Sequence, residues 1–584
     1  MKNTVSHLPE NHEEAGPSLQ GSKSVASASE GVSDAFPSWL PYALICVVVL
    51  LGHGLALNAD FYMDDFPHIL EDETVQGKVW DPLYAFRSIP YVIYRQIYAV
   101  AGPSSFAFHA LNFLLHLATT LVVFATGKLF FRRLKLLDTE EARMKAALVG
   151  SLVFAAHPLG TEAVNYARCS MIQLVTFFSM LAAYHALRWT ENRKAGSVAA
   201  ALFFMLLATY SKDPGMFHAG MNLAIIGLLF FEKRWITEVR AWSEGRGKRQ
   251  AITACFVATA GVLWLAPKWT EIVYAKITQS GQSYVDHWFT QGRAVWGYLA
   301  QMVAPVNLTS DHLLAWSRSP VKDAPAGLGL LLVVILGIAI IAGLFRAKSR
   351  VWCALAALIL APLALRFGFP VFEHFVEYRA YPCLPWLGVL AGLGFGLLFA
   401  RRPKPALWAA FALVTAGVTV SALRSAVWSD GAALARHALE QYPLNNRPRT
   451  QLQAAAYRKG NYEEVLKIGT EIRAVYQAQA EFNAVNPHGR QLDPNRAIYD
   501  LVNCEQLTTY AVAELFDSKE ALKFANERIG HYRSHLGLEK EMEIRKALGT
   551  LLKARHVLEV HGEEYDRKKA QAKTASPVDR VVVD

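Results

Sequence analysis

Apolar runs alternate with short polar stretches from Trp39 to Leu423, and the chain is polar at both ends. A helix needs roughly 20 apolar residues to cross ~30 Å of hydrocarbon. Runs approaching that length occur near 38–57, 105–131, 146–160, 171–188, 196–210, 216–232, 251–267, 326–345, 351–368, 384–400 and 405–423. Ala294–Ala304 is too short to cross and reads as re-entrant or interfacial. The pattern predicts an all-α polytopic membrane bundle of about eleven spans. Residues 1–37 are rich in Ser, Glu and Gly without periodicity, which predicts a disordered tail. The first apolar run continues into a full span, which argues against a cleaved signal peptide.

Composition supports the lipid environment. Charged residues make up 18% of the chain and hydrophobic ones 53%, against about 25% charged in soluble proteins. The net charge of +10 would suit nucleic acid, but the basic residues cluster in short loops instead. Arg132, Arg133, Lys135, Arg143 and Lys145 share one loop, and Arg193 and Lys194 another. Lys233 to Arg249, Arg346 to Arg350 and Arg401 to Lys404 follow. With eleven spans all of these fall on one side, which the positive-inside rule makes cytoplasmic. The N-terminus is then cytoplasmic. Loops 58–104, 161–170, 211–215, 268–325 and 369–383, and everything after Arg424, face the opposite compartment, the periplasm if the source is a bacterial inner membrane. Six scattered cysteines without paired spacing suggest neither a zinc site nor a disulfide framework.

The C-terminal segment is of another kind. Leu452-Gln-Ala-Ala-Ala-Tyr457-Arg-Lys-Gly460-Asn-Tyr462-Glu-Glu-Val465 reads as helix, tight turn and helix of a tetratricopeptide unit. Ala511–Ala525 is a weaker echo. The expected organisation is a transmembrane domain over 38–427, a short tetratricopeptide-like helical domain over 428–560, and a charged tail over 561–584.

Candidate chemistry concentrates in the loops on the non-cytoplasmic side. The first carries Asn58-Ala-Asp60-Phe-Tyr-Met-Asp64-Asp65-Phe-Pro-His68. An acidic pair at a membrane boundary reads blandly as a solvated loop with a helix cap. It also reads as a general base, since apolar surroundings raise a carboxyl pKa and strengthen it as a base. Lys212 and Arg379 stand at the ends of spans, where cations either snorkel to the interface or meet an anion. His109, Asn112 and His116 share one helix face and suit interhelical hydrogen bonding. His157 and Glu162 open a short loop, where capping and ligand contact are both open. No tight ligand spacing supports a His–Glu–His metal site.

In chain order, the Asp64-Asp65 loop, Phe86-Arg87-Ser-Ile-Pro90, Phe108-His109-Ala-Leu-Asn112-Phe-Leu-Leu-His116, His157-Pro158-Leu-Gly-Thr161-Glu162-Ala-Val-Asn165-Tyr166, Ser211-Lys212-Asp213, Pro305-Val-Asn307-Leu-Thr-Ser-Asp311-His312, Glu377-Tyr-Arg379 and Trp428-Ser-Asp430 form a series. It resembles the bacterial relatives of the transmembrane-and-tetratricopeptide O-mannosyltransferases, glycosyltransferases of the GT-C fold, over about residues 38 to 480. The resemblance implies a polyprenyl-phosphate-linked sugar donor, mannose among the candidates, and an external hydroxyl acceptor on a protein or glycan. It implies Asp64 as base with Asp65 as partner, and Lys212, Arg379 and Arg87 on the donor phosphate. Substrate contacts fall to His157, Glu162, Asp311, His312 and Glu377. No cofactor is required by the pattern, and a divalent metal is left open. The chain departs from the family after Tyr166, where the basic residue is displaced to Arg168. It departs again where Glu377-Tyr378-Arg379 replaces Glu-His-Arg, and where Arg87-Ser-Ile-Pro90 replaces Arg-Pro-Leu.

The leading expectation is an inverting membrane glycosyltransferase whose repeats recruit an acceptor or another protein partner. The competing one is a non-catalytic membrane scaffold that anchors the repeats for envelope assembly. A transporter is disfavoured, because no two matching halves carry paired Gly/Pro-broken spans.

Overall fold

The computed structural model describes residues 37–79, 87–230, 283–368, 373–535 and 542–574. The described residues after Leu40 form one compact unit. The described elements are helices, apart from one two-residue antiparallel pairing of Trp316–Ser317 with Arg490–Gln491.

Seven described helices are long and apolar enough to cross a membrane, and an eighth is counted when a bent pair is joined. The protein is therefore a multi-pass membrane protein. Two of these helices show why lipid must be their solvent. Ala324–Leu344 presents Leu328, Leu331, Ile335 and Ile338 outward, and Pro403–Trp428 presents Leu407, Trp408 and Phe411. Apolar faces of that extent are not tolerated in water.

The run expected to cross at 146–160 is broken. Glu140–Ala156 bends by 52° into Pro158–Asn165. His157 is extended there (φ −70°, ψ 118°) because the proline ring crowds the residue before it out of the helical region. Two other expected spans, Ala195–Thr209 and Gly215–Leu229, are apolar but only 15 residues each, or about 22 Å. The expected span at 251–267 lies outside the described residues, as do the basic cluster Lys233–Arg249 and the expected tail over 1–36. The figure of eleven spans thus rests on two short helices and an undescribed segment.

Small residues let the bundle close. Gly150 of Glu140–Ala156 abuts Gly388 and Gly392 of Leu384–Arg401, where an added Cβ would overlap backbone carbonyls. Helices in lipid gain little from burying apolar surface, so such close backbone approach supplies the packing. The His109 helix, Ser105–Leu134, is pinned by polar groups. Asn112 donates to the Tyr166 carbonyl (2.6 Å), and His116 bonds Tyr381 Oη (2.8 Å) and the Ala155 carbonyl (3.2 Å).

The chain segments expected on the non-cytoplasmic side converge on one end of the bundle. Arg87 pairs with Asp213 (2.9 Å), the Asp64 backbone meets Tyr166, and Glu377 meets Thr309, His312 and Arg424. At the other end, Arg132 forks onto Glu191 (2.9 and 3.0 Å).

The C-terminal helices are Gly431–Gln441, Asn446–Arg458, Tyr462–Val485, Pro494–Leu515, Ser518–His535 and Met542–Thr574. Leu434 of the first joins the core of the membrane body, and the later helices pack around a core of their own, which includes Val465, Ile472, Val502 and Tyr532. Gly460 turns between the second and third at φ +70°, a region open to glycine. This unit is fastened to the membrane body. Arg490 adds an ion pair to Asp323 (3.0 Å) beside the strand pairing. Asp323 is buried and also takes Arg293 (2.8 Å) and Ser317 Oγ (2.7 Å).

Candidate active site

At the convergent end lies a cleft with about 1020 Å³ of empty space, part of it open to solvent. Its wall is drawn from every segment named above, and from the C-terminal unit.

The acidic pair is split by its surroundings. The Asp65 side chain is fully buried, and its two oxygens accept the backbone N–H groups of Tyr62 (3.0 Å) and Arg168 (2.8 Å). Burial pushes its carboxyl up to about 7, against the pull of those two bonds. Asp65 therefore ties the first loop to the turn after Tyr166. Asp64 lies on the cleft wall with its side chain about half exposed (52%). Its backbone N–H donates to Tyr166 Oη (2.9 Å), and Met63 before it adopts φ +43°, unusual for a non-glycine residue. The backbone is thus held so that Asp64 projects where its neighbour cannot.

Two cations face the same cleft. Lys212 packs on the Tyr378 ring, 4.9 Å from its centroid, and no described carboxylate pairs with it. Burial lowers its ammonium to about 7, with Arg87, Arg366 and Arg168 adding repulsion. Arg168 is the basic residue that departs from the pattern of the family the sequence resembles. Its Nε lies 3.9 Å from Asp64 Oδ2, and its Nη1 is buried without a hydrogen-bond partner.

The other expected residues separate into those on the wall and those behind it. Glu162, Asp311 and His312 line the cleft. Glu162 accepts the Tyr378 N–H (2.7 Å). His312 spans from Glu377 (2.8 Å) to Tyr442 Oη (3.1 Å). Glu377 sits behind, fully buried, taking the Thr309 N–H (2.6 Å), His312 and Arg424 (3.1 Å). Arg379 is also behind, engaged with Glu373 through its carbonyl and its carboxylate (3.3 Å). Arg87 pairs with Asp213, and neither lines the cleft. His157 bonds the Met302 carbonyl (3.0 Å) and the Leu159 N–H (3.2 Å), which leaves its ring no capacity for a ligand.

Several wall residues receive no site role from the sequence. Tyr62, Tyr166 and Trp428 form an aromatic cluster with ring centroids 5.6–6.1 Å apart. Trp316 and His374 contribute further rings in edge contact (6.1 Å). Trp316 Nε1, Trp428 Nε1 and both His374 nitrogens are buried without hydrogen-bond partners. Buried polar atoms are normally satisfied, so a lining with this many free donors and acceptors suits a ligand rich in hydroxyls. Arg447 and Arg496 enter from the C-terminal unit. Arg447 reaches Asp311 (3.6 Å) and Glu373. Burial works against both carboxylates. It keeps Asp311 raised, whereas Arg447 and Arg379 hold Glu373 down to about 2. Among the described residues, no group of three or more His, Cys, Asp or Glu is arranged to hold a metal ion.

No family model matches the chain, and no solved structure matches it. Curated proteins do. Over 198 residues it is 24% identical to the human protein O-mannosyl-transferase TMTC3, covering 30% of this chain and 20% of that protein. It is 28% identical over 179 residues to the Caenorhabditis elegans protein O-mannosyl-transferase F38B6.6, covering 27% and 24%. With human protein O-mannosyl-transferase TMTC4 it shares 23% identity over 242 residues, covering 35% and 32%. The matches thus span between a fifth and a third of the relatives' own lengths. These similarities support a relation to proteins so named.

Proposed function

We propose that the protein is a membrane glycosyltransferase that moves a sugar from a polyprenyl-phosphate donor to a hydroxyl acceptor with inversion. Mannose is the favoured sugar and a protein Ser or Thr the favoured acceptor, after the names of the relatives. The observation that carries the reading is one cleft holding an exposed carboxylate, Asp64, beside two cations, Lys212 and Arg168. In this reaction the acceptor O–H gives its proton to Asp64 as its oxygen bonds to the anomeric carbon. The bond from that carbon to the phosphate oxygen breaks, and the lipid phosphate leaves with the electron pair. Its growing charge needs cations aimed at it, the part Lys212 and Arg168 are suited to play. The partnerless donors and acceptors of Trp316, His374 and Trp428 suit the sugar hydroxyls.

In this reading the GT-C-type body spans the membrane with the N-terminus cytoplasmic. The cleft and the tetratricopeptide-like unit then lie outside the cytoplasm, in the periplasm of a bacterial inner membrane. The deciding experiment reconstitutes the full chain in nanodiscs with radiolabelled polyprenyl-phosphate sugars and envelope proteins. Label in an acceptor supports the transferase. No transfer to any acceptor, combined with loss of a bound protein when the repeats are removed, returns the scaffold reading.

A further inference from the structure

We propose that Arg447, carried by the C-terminal helical unit, is a positioning residue of the cleft, so that this unit completes the transfer site as well as presenting an acceptor. The inference rests on the transferase reading for its catalytic consequence, though not for its geometry. Arg447 stands in the first turn of Asn446–Arg458, with its side chain 16% exposed. It holds carboxylates from two different loops of the membrane body, Asp311 at 3.6 Å and Glu373. Both carboxylates line the cleft.

The residues around it lock the arrangement. Asn445 accepts the Arg447 N–H (3.2 Å) and donates to the Asp311 carbonyl (3.3 Å), fixing the helix start to the loop. Glu373 is shared, since Arg379 takes its carbonyl and other carboxylate oxygen. Asp311 is followed by His312, which bonds Glu377, the residue that gathers Thr309 and Arg424. One guanidinium therefore sets the spacing of the 309–312 and 373–377 segments. Taking an arginine and two carboxylates out of water is costly unless their geometry is well matched. Docking alone does not call for it, because the strand pairing and the Asp323–Arg490 ion pair already fasten the unit elsewhere.

The test uses the full chain in nanodiscs as Arg447→Gln and Arg447→Lys. Amide exchange in 309–312 and 374–378 is expected to speed up about tenfold or more in Arg447→Gln, while Ser317 and Arg490–Gln491 keep their protection. With a polyprenyl-phosphate sugar as donor, kcat is expected to fall about 10- to 100-fold, the size of effect that small misplacements cause. Donor KM should move less than about threefold, because Lys212 and Arg168 are untouched. Arg447→Lys should recover only part of the rate, since an ammonium cannot fork between two carboxylates. Adding Asp311→Asn to Arg447→Gln should recover part as well, by removing a stranded charge. Unchanged exchange in the two segments, or an unchanged kcat in an active enzyme, overturns the proposal. So does loosening of the docking contacts in step with the loops, which makes Arg447 a mere fastener. If the wild type transfers nothing and the loops still loosen selectively, the transferase reading fails and the positioning role stands.

Discussion

Asp64 and Asp65 are adjacent in sequence and opposite in environment, one half exposed on the cleft and the other sealed beneath it. The sequence could flag the pair but could not divide it, because Asp65 is claimed by a backbone N–H 103 positions away, at Arg168. Arg168 shows the same limit. It is displaced in sequence, yet the short turn Ala167–Cys169 still brings its side chain to the wall. Arg379 errs the other way: the resemblance puts it on the donor phosphate, while Glu373 occupies it. Different outcomes are therefore expected from the two isosteric changes. Asp64→Asn should leave the thermal midpoint unchanged and lower kcat by about 10² to 10⁴, the worth of general-base assistance. Asp65→Asn turns one accepting oxygen into a donor facing a backbone N–H. It should cost about 1–3 kcal/mol of stability by denaturant titration, as a spoiled buried hydrogen bond does. Full transfer by Asp64→Asn would remove it as base. Lys212 gives a pH signature. Burial lowers its ammonium to about 7, so the free site loses this cation as pH rises through 7, and donor KM should rise between pH 6.5 and 8.5. In Lys212→Arg that rise should vanish, because guanidinium stays charged throughout. The same slope in both proteins would place the titrating group elsewhere.

At the scale of elements, the hydropathy pattern located helices well and their continuity poorly. Periodicity and run length are local, so Leu384–Arg401 and Pro403–Trp428 were legible as separate helices. The break at His157-Pro158 was hidden, because its apolar residues read as one run. Gly460 marked the helix turn correctly, since a positive φ leaves its trace in residue type. The two-residue pairing of Trp316–Ser317 with Arg490–Gln491 left no pattern at all, being set by the bodies it joins. Asp323 is the keystone of that junction. Burial works against its carboxylate, yet Arg490, Ser317 and Arg293 hold it down to about 2. A carboxyl held below its ordinary 3.8 contributes fully above about pH 4, and the contribution fades as pH falls toward 2. Asp323→Asn should mimic that acid state at neutral pH. It should raise amide exchange at Ser317, Arg318 and Gln491 severalfold, with the protection of 309–312 changed far less. Equal protection in mutant and wild type would show that the strand pairing holds without the ion pair.

For the molecule as a whole, the loop charges foresaw which segments would meet, since Arg87, Tyr166, Asp213, Thr309 and Glu377 do gather at one end. Which compartment that end faces is an expectation testable by reporters. Alkaline phosphatase fused after Asp430 should be active and fused after Lys348 inactive; the reverse would put the cleft in the cytoplasm. Each body has its own apolar period, and nothing local in the sequence announces that Arg447 will stand beside Asp311. That late arrival has a consequence in time. A ribosome makes the Asp64 loop, both cations and the whole bundle before it reaches Arg447, and Arg496 comes later still. A nascent chain already threaded into lipid thus holds Asp64, Lys212 and Arg168 but lacks one side of the cleft. Under the proposed transferase function, synthesis order would itself act as a safety catch, keeping a half-made protein from spending donor before its final helices have settled.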